Sequence, residues 1–172
     1  MNGILRHNRK AISPVIATII IVAVAIVMSI AVAYWMLGLA TTFTRYEKLE
    51  FVSAYATYNS AENAYFINMT VKNTGSSPAT VKMFLLNGIP HTDLASNNIT
   101  IYNYNYTNNK WEKIYPSGEI DVPVNPGSEV KFSVQLEKEM NIGSGIVTSG
   151  VTLEITIQTA AGNQYPKTVV LP

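Results

Sequence analysis

AISPVIATIIIVAVAIVMSIAVAYWMLGLATTFT, residues 11–44, decides the architecture of this chain. No Asp, Glu, Lys or Arg occurs between Lys10 and Arg45, and the run is far longer than the roughly 20 apolar residues that cross a bilayer core. Apolar side chains fall all round the helical wheel rather than on one stripe, so the segment reads as a helix covered on every side, by lipid or by other helices. Ser13 followed by Pro14 marks its start, with a hydroxyl to cap free N–H groups and a proline where a missing N–H costs nothing.

A secretory signal peptide carries an apolar core of about 7–15 residues and then a small-residue cleavage site. Here the apolar run is much longer and basic residues abut it, so the helix is expected to be kept. Arg6, Arg9 and Lys10 precede the run, which leaves the N-terminus in the cytoplasm and sends the remainder outside. Tyr34 and Trp35 come about 22 residues after Ile12, or about 33 Å along a helix, where aromatic side chains anchor at the outer leaflet. Ala25, Ser29 and Ala33 recur every four positions and form a face that another helix can approach closely. The plainer reading of the same pattern is a single-pass anchor in which alanine is a good helix former.

The string Arg9-Lys10-Ala11-Ile12-Ser13-Pro14-Val15-Ile16-Ala17-Thr18-Ile19-Ile20 resembles the start of archaeal type IV pilin precursors. The resemblance implies a short basic leader, a class III signal peptide, removed on the cytoplasmic side by a prepilin peptidase. Lys10 and Ala11 match its last two positions, with Ala11 where glycine is commoner, and Ile12 becomes the mature N-terminus. Bacterial type IV pilins carry a glutamate at the fifth mature position, which here is Ile16, so the archaeal branch fits better. Archaellum subunits share the design but resemble the Ser-Pro-Val start less well. The resemblance further implies self-assembly into a helical homopolymer, driven by an assembly ATPase and a membrane platform. Cutting before Ile12 removes the three basic residues, so that the helix can leave lipid and pack among its copies.

Composition agrees with a chain that leaves much apolar surface to be covered by something else. Its 172 residues suffice for one ordinary domain plus one extra element, and 48% are hydrophobic while only 13% are charged, about half the usual charged fraction. Cysteine is absent, which excludes disulfides and thiolate metal sites. The histidines are His7 and His91, so a histidine metal cluster or a Ser/His/Asp triad would rest on His91 alone. Against 12 basic and 11 acidic residues in all, the three leader cations leave the remainder with an acidic excess. It has no basic stripe to track nucleic-acid phosphates.

After Arg45 the pattern changes to short alternating segments broken by Gly, Pro, Asn and Ser, the signature of a β-sandwich. Ile67, Met69 and Val71 alternate with polar residues, as do Val81, Met83 and Leu85, with Phe84 on the polar side; the turn Asn73–Pro78 makes these two runs neighbouring strands. Val130, Phe132, Val134 and Leu136, then Val151, Leu153, Ile155 and Ile157, supply two further one-faced strands. Weaker strands are expected at 49–58, 99–106, 111–115 and 165–171. The expected fold is therefore α+β: a long N-terminal hydrophobic helix followed by an all-β immunoglobulin-like sandwich of about seven or eight strands. Its parts are a leader at 1–11, the helix at 12–47, and an extracellular sandwich at 48–172.

Asn68, Asn98 and Asn105 each open an Asn-x-Ser/Thr glycosylation acceptor on the exported side. Tyr102-Asn-Tyr-Asn-Tyr-Thr-Asn-Asn-Lys-Trp111 interleaves aromatics with amides, a texture for stacking on sugars or lining an interface, read first as an edge hairpin with exposed tyrosines. Glu137 with Glu139, or Glu119 with Asp121, are the carboxylate pairs open to acid/base work, and on polar strand faces such pairs are usually solvated. No phosphate loop or nucleophile elbow occurs. The sequence therefore reads as a pilin that builds an extracellular filament for adhesion or cell-cell contact, without enzymatic activity, cofactor or nucleic-acid partner. The alternatives are a membrane-anchored pilin-like accessory or binding ectodomain, and an archaellum filament subunit.

Overall fold

The computed structural model describes residues 14–43, 45–95 and 98–172. The expected leader, its cleavage position at Lys10, Ala11 and Ile12, and the capping Ser13 lie outside these residues. The chain divides into two units between Thr44 and Arg45.

Among the described residues the first unit is a single helix, α1 (Pro14–Phe43), 30 residues long with no acidic residue in its first turn and no basic residue in its last. Proline is its first described residue, where its fixed φ suits a helix start. At 1.5 Å per residue the helix is about 45 Å long.

The second unit is a sandwich of antiparallel strands: β1 (Leu49–Asn59), β2 (Ala64–Asn73), β3 (Ala79–Leu86), β4 (Ile89–Pro90), β5 (Ile99–Asn105), β6 (Lys110–Tyr115), β7 (Val122–Val124), β8 (Glu129–Glu137), β9 (Asn141–Ile142), β10 (Gly145–Ile146), β11 (Thr152–Thr159) and β12 (Gln164–Val170). One sheet has the order β1-β2-β8-β5-β6. The other runs β12-β11-β3-β4, with β7 also on β3. An immunoglobulin-type sandwich puts its strands A, B, E and D in one sheet and C, F and G in the other. With β1, β2, β8 and β5 as A, B, E and D, and β3, β11 and β12 as C, F and G, the observed order is that topology. The additions are β6 at the edge of the first sheet, the short β4 and β7 along β3, and the ribbon of β9 and β10 before β11.

Alternation places one side of each sheet in the core. Ile67 and Val71 on β2, Phe132, Val134 and Leu136 on β8, and Ile99 and Ile101 on β5 are fully buried, and they meet Val81, Phe84 and Leu86 on β3 and Ile155 and Ile157 on β11. Phe84 and Phe132 join the two layers edge to face, with ring centroids 5.1 Å apart. This aromatic pair sits in the middle of a core that has no cysteine for an inter-sheet bridge.

Two expectations about β3 fail. Met83 and Leu85 are only half-buried, whereas Phe84, read as an outward residue, is fully buried. The register against β11 slips between Gln158↔Met83 and Thr159↔Val81, so Lys82 is an extra residue that reverses which side of the strand faces inward. Nor are β2 and β3 neighbours: β2 pairs with β1 and β8, and β3 lies in the other sheet. The segment 73–78 is a crossover between layers, organised by Asn73, which is fully buried. Its amide Nδ2 donates to the carbonyls of Ser77 and Val124, both at 2.8 Å, and its Oδ1 accepts the Gly75 N–H at 2.9 Å. Glycine is required at 75, because a Cβ there would lie 2.5 Å from the Tyr46 carbonyl oxygen and 2.6 Å from the Lys48 nitrogen.

The same turn fixes the start of the second unit. The Tyr46 carbonyl accepts the N–H groups of Ser76 and Ser77, and the Lys48 carbonyl accepts those of Thr74 and Gly75. From the other layer, Thr159 Oγ1 and Asn163 Nδ2 donate to the Glu47 carboxylate at 2.9 and 3.1 Å.

Candidate assembly surface and glycan sites

On α1 every described side chain from Pro14 to Ala40 is exposed except Ala17, which is intermediate. Ile19 is 62% exposed, Val27 64% and Leu37 65%. The span Pro14–Ala40, within which an 18-residue window has a mean hydropathy of 3.1, is long and apolar enough to cross a membrane. At about 25 cal/mol per Å² of apolar surface, leaving such a cylinder in water is prohibitively unfavourable, so the helix requires a covering of lipid or protein.

Ala25, Ser29 and Ala33 are exposed on that helix. The Ser29 hydroxyl donates to the Ala25 carbonyl at 2.7 Å, and Thr18 Oγ1 donates to the Val15 carbonyl at 2.8 Å. Both hydroxyls are thereby satisfied within the helix and present little polarity to an apolar neighbour. Tyr34 and Trp35 are exposed at 75% and 65%.

The three acceptor asparagines sit in different settings. Asn105 ends β5 at the turn into β6, where its Oδ1 accepts the Thr107 N–H at 2.9 Å and its Nδ2 donates to Glu112 at 2.8 Å. Asn98 lies in the turn before β5, its N–H bonded to the Ala95 carbonyl at 2.9 Å. Asn68 stands in the middle of β2 on the outer side of its sheet, paired with Tyr55 on β1 and Ser133 on β8. Ser133 Oγ donates to its Oδ1 at 2.8 Å.

Asn68 forms part of the floor of an open cleft of about 420 Å³, lined by Thr57, Asn59, Glu62, Phe66, Asn68, Tyr102, Trp111 and Ser133. All five strands of the first sheet contribute. The Tyr-Asn segment is the β5–β6 hairpin at that sheet's edge, with Tyr106 and Trp111 exposed at 51% and 44%. Tyr104 packs edge-on against both, at 5.1 Å from Tyr106 and 5.3 Å from Trp111, and the Lys131 ammonium lies 5.4 Å from the Tyr104 ring centre. Burial, and then the nearby Glu62 carboxylate, push the Tyr102 phenol above its usual value, so that it remains an O–H donor, here to Gln135 Oε1 at 3.0 Å.

His91 is buried at 3% exposure, stacked edge-on on Tyr115 at 4.6 Å. Its Nδ1 lies 3.4 Å from the Phe84 nitrogen and 3.2 Å from the Phe84 oxygen. Burial pushes its pKa below the ordinary 6.5 against smaller opposing effects from the Phe84 backbone and Asp93. Glu119, Asp121, Glu137 and Glu139 are all exposed, and Asp121 pairs with Lys82 at 3.3 Å. Among the described residues no group of three or more His, Cys, Asp or Glu is placed to hold a metal ion.

No family model matches the chain, and the search of curated proteins found no match. Solved structures do resemble it. The archaeal flagellum of Methanospirillum hungatei strain JF1 aligns over 93% of this chain and 94% of its own, at 18% identity and a TM-score of 0.40. The apo PCuAC domain from PmoF1 aligns over 74% of this chain and 98% of its own, at 12% identity and a TM-score of 0.45. At such scores these likenesses carry no argument about what the chain does.

Proposed function

We propose that this chain is a pilin-type structural subunit that polymerises through α1 into an extracellular filament, and that it is not an enzyme. The observation that carries the reading is the contrast within one chain: a sandwich with its own complete core, and a charge-free helix exposed around its circumference. A membrane supplies the covering of α1 in the precursor, with the N-terminus cytoplasmic, and the helices of other copies supply it in the filament. The resemblance of residues 9–20 to archaeal type IV pilin precursors supports the leader cut before Ile12, by a prepilin peptidase, and assembly by an ATPase on a membrane platform. Adhesion or cell-cell contact is the role such a filament would serve.

The test is the mass and N-terminal sequence of the protein in material sheared from cells. A subunit that begins at Ile12 and is recovered outside the cell supports the reading. A chain that keeps Arg9 and Lys10 and stays in the membrane fraction contradicts it, and leaves a membrane-anchored ectodomain in its place.

A further inference from the structure

From the cleft on the outer side of the β1-β2-β8-β5-β6 sheet, we infer that the sandwich is a carbohydrate-binding module, taking a short chain of neutral or N-acetylated hexoses across the sheet. Sugars present two kinds of surface: apolar C–H faces that stack on aromatic rings, and hydroxyls that need donors and acceptors at fixed positions. The cleft supplies both. Trp111 stands 44% exposed at one side, braced by Tyr104 at 5.3 Å, and Phe66 also lines the cleft. A braced indole offers contact area with little further loss of side-chain freedom on binding.

The polar groups of the floor hold one another in place. Asn59 Nδ2 and Gln135 Nε2 donate to the two oxygens of Glu62, each at 3.2 Å, and Ser133 Oγ donates to Asn68 Oδ1 at 2.8 Å. Asn68 Nδ2 has only a 3.5 Å contact with Thr57 Oγ1, which leaves an amide donor for a ligand. A carboxylate accepts about four hydrogen bonds, so Glu62 has capacity left as well. The volume, about 420 Å³, lies in the range of small-molecule sites. No Lys or Arg lines the cleft, which disfavours phosphate-bearing ligands. An apolar helix laid on this floor would bury the spare acceptor capacity of Glu62 and the weakly engaged Asn68 Nδ2 donor without giving either a partner, at a cost of kilocalories per mole.

The sugar has two possible sources: another surface, or an N-linked glycan on Asn68 itself, whose side chain opens into the cleft. Calorimetry on the full chain distinguishes them, with the protein in a sugar-free zwitterionic detergent and made in a host that does not modify sequons. N,N′-diacetylchitobiose, cellobiose and mannobiose serve as probes. Because the two tryptophans are Trp35 and Trp111, a Trp35→Phe background makes Trp111 the reporter. The expected result is saturable binding of at least one probe with a shift in Trp111 emission. Trp111→Ala should weaken it about tenfold, and the isosteric Glu62→Gln should weaken it with the fold unchanged by circular dichroism. If chain from a glycosylating host shows the shifted emission without added sugar, and loses it on deglycosylation or in Asn68→Gln, the source is the chain's own glycan. No response to any probe in the unmodified chain, or a Trp111 shift that follows protein concentration instead of sugar, overturns the inference; the second result would name another copy of the chain as the occupant. The filament test above reads a different property, so either proposal can fail alone.

Discussion

Helix and sandwich in this chain solve the problem of apolar surface in opposite ways. The sandwich closes on itself: among the described residues the hydrophobic core runs from Leu49 to Leu171, and outer positions of its strands carry polar residues such as Lys72, Lys131 and Glu154. The helix closes nothing, since its exposed residues are as apolar as those the sandwich buries. A fold unit with its own core tolerates water on all sides, whereas α1 exists only where lipid or other chains surround it. Changes in the two units should therefore have separable effects: substitutions in α1 alter membrane residence and assembly without unfolding the sandwich, and core substitutions do the reverse.

The largest effect on assembly is expected from a charge in α1. Ile26→Asp places a carboxylate near the middle of the apolar span, at a cost of about 3 kcal/mol in a bilayer. Filament yield should fall below detection in sheared fractions, while near-ultraviolet circular dichroism of the sandwich stays unchanged; filaments at normal yield would break the comparison. On the other side, Phe132→Ala removes the fully buried ring that packs on Phe84. It should lower unfolding stability by about 3–5 kcal/mol, measured by denaturant titration, with membrane insertion intact.

Next comes Asn73→Ala, which takes the Nδ2 donor from the Ser77 and Val124 carbonyls and leaves the Gly75 N–H only its 3.2 Å bond to the Lys48 carbonyl. Leaving such buried groups unpaired should cost about 1–3 kcal/mol. A wild-type midpoint would show that the crossover is held by its backbone bonds alone.

The smallest effect concerns His91. Its pKa in the fold is depressed by burial, so the folded state binds fewer protons than the unfolded one. Its contribution is fully present above the unfolded value near 6.5 and is lost as pH falls from there toward the folded pKa, with a slope of at most about 1.4 kcal/mol per pH unit. His91→Gln should flatten the stability profile in that window.

Much of this architecture was legible in the sequence because it rests on one-dimensional patterns. The absence of charge from Ala11 to Thr44 announced the helix, and strict alternation in residues 67–71, 130–136 and 153–157 announced strands with one buried side. What stayed hidden depends on partners far along the chain. Nothing in residues 79–86 marks Lys82 as an extra residue, since the slip is defined against Gln158 and Thr159 on β11. Residues 73–78 carry ordinary turn composition, and it is the reach of Asn73 to Val124 that makes them a crossover. The triplet at Asn68 was visible, but its place on the floor of a cleft was not, because that cleft draws its lining from five strands between Thr57 and Ser133.

The central claim is that copies of this chain cover one another's helices, and an electron cryomicroscopy map of filaments sheared from cells tests it most directly. The account predicts a core of packed α-helices traceable as residues 12–43, with the sandwiches outside. A filament whose core lacks these helices, or the protein found solely as single copies in the membrane, would contradict it.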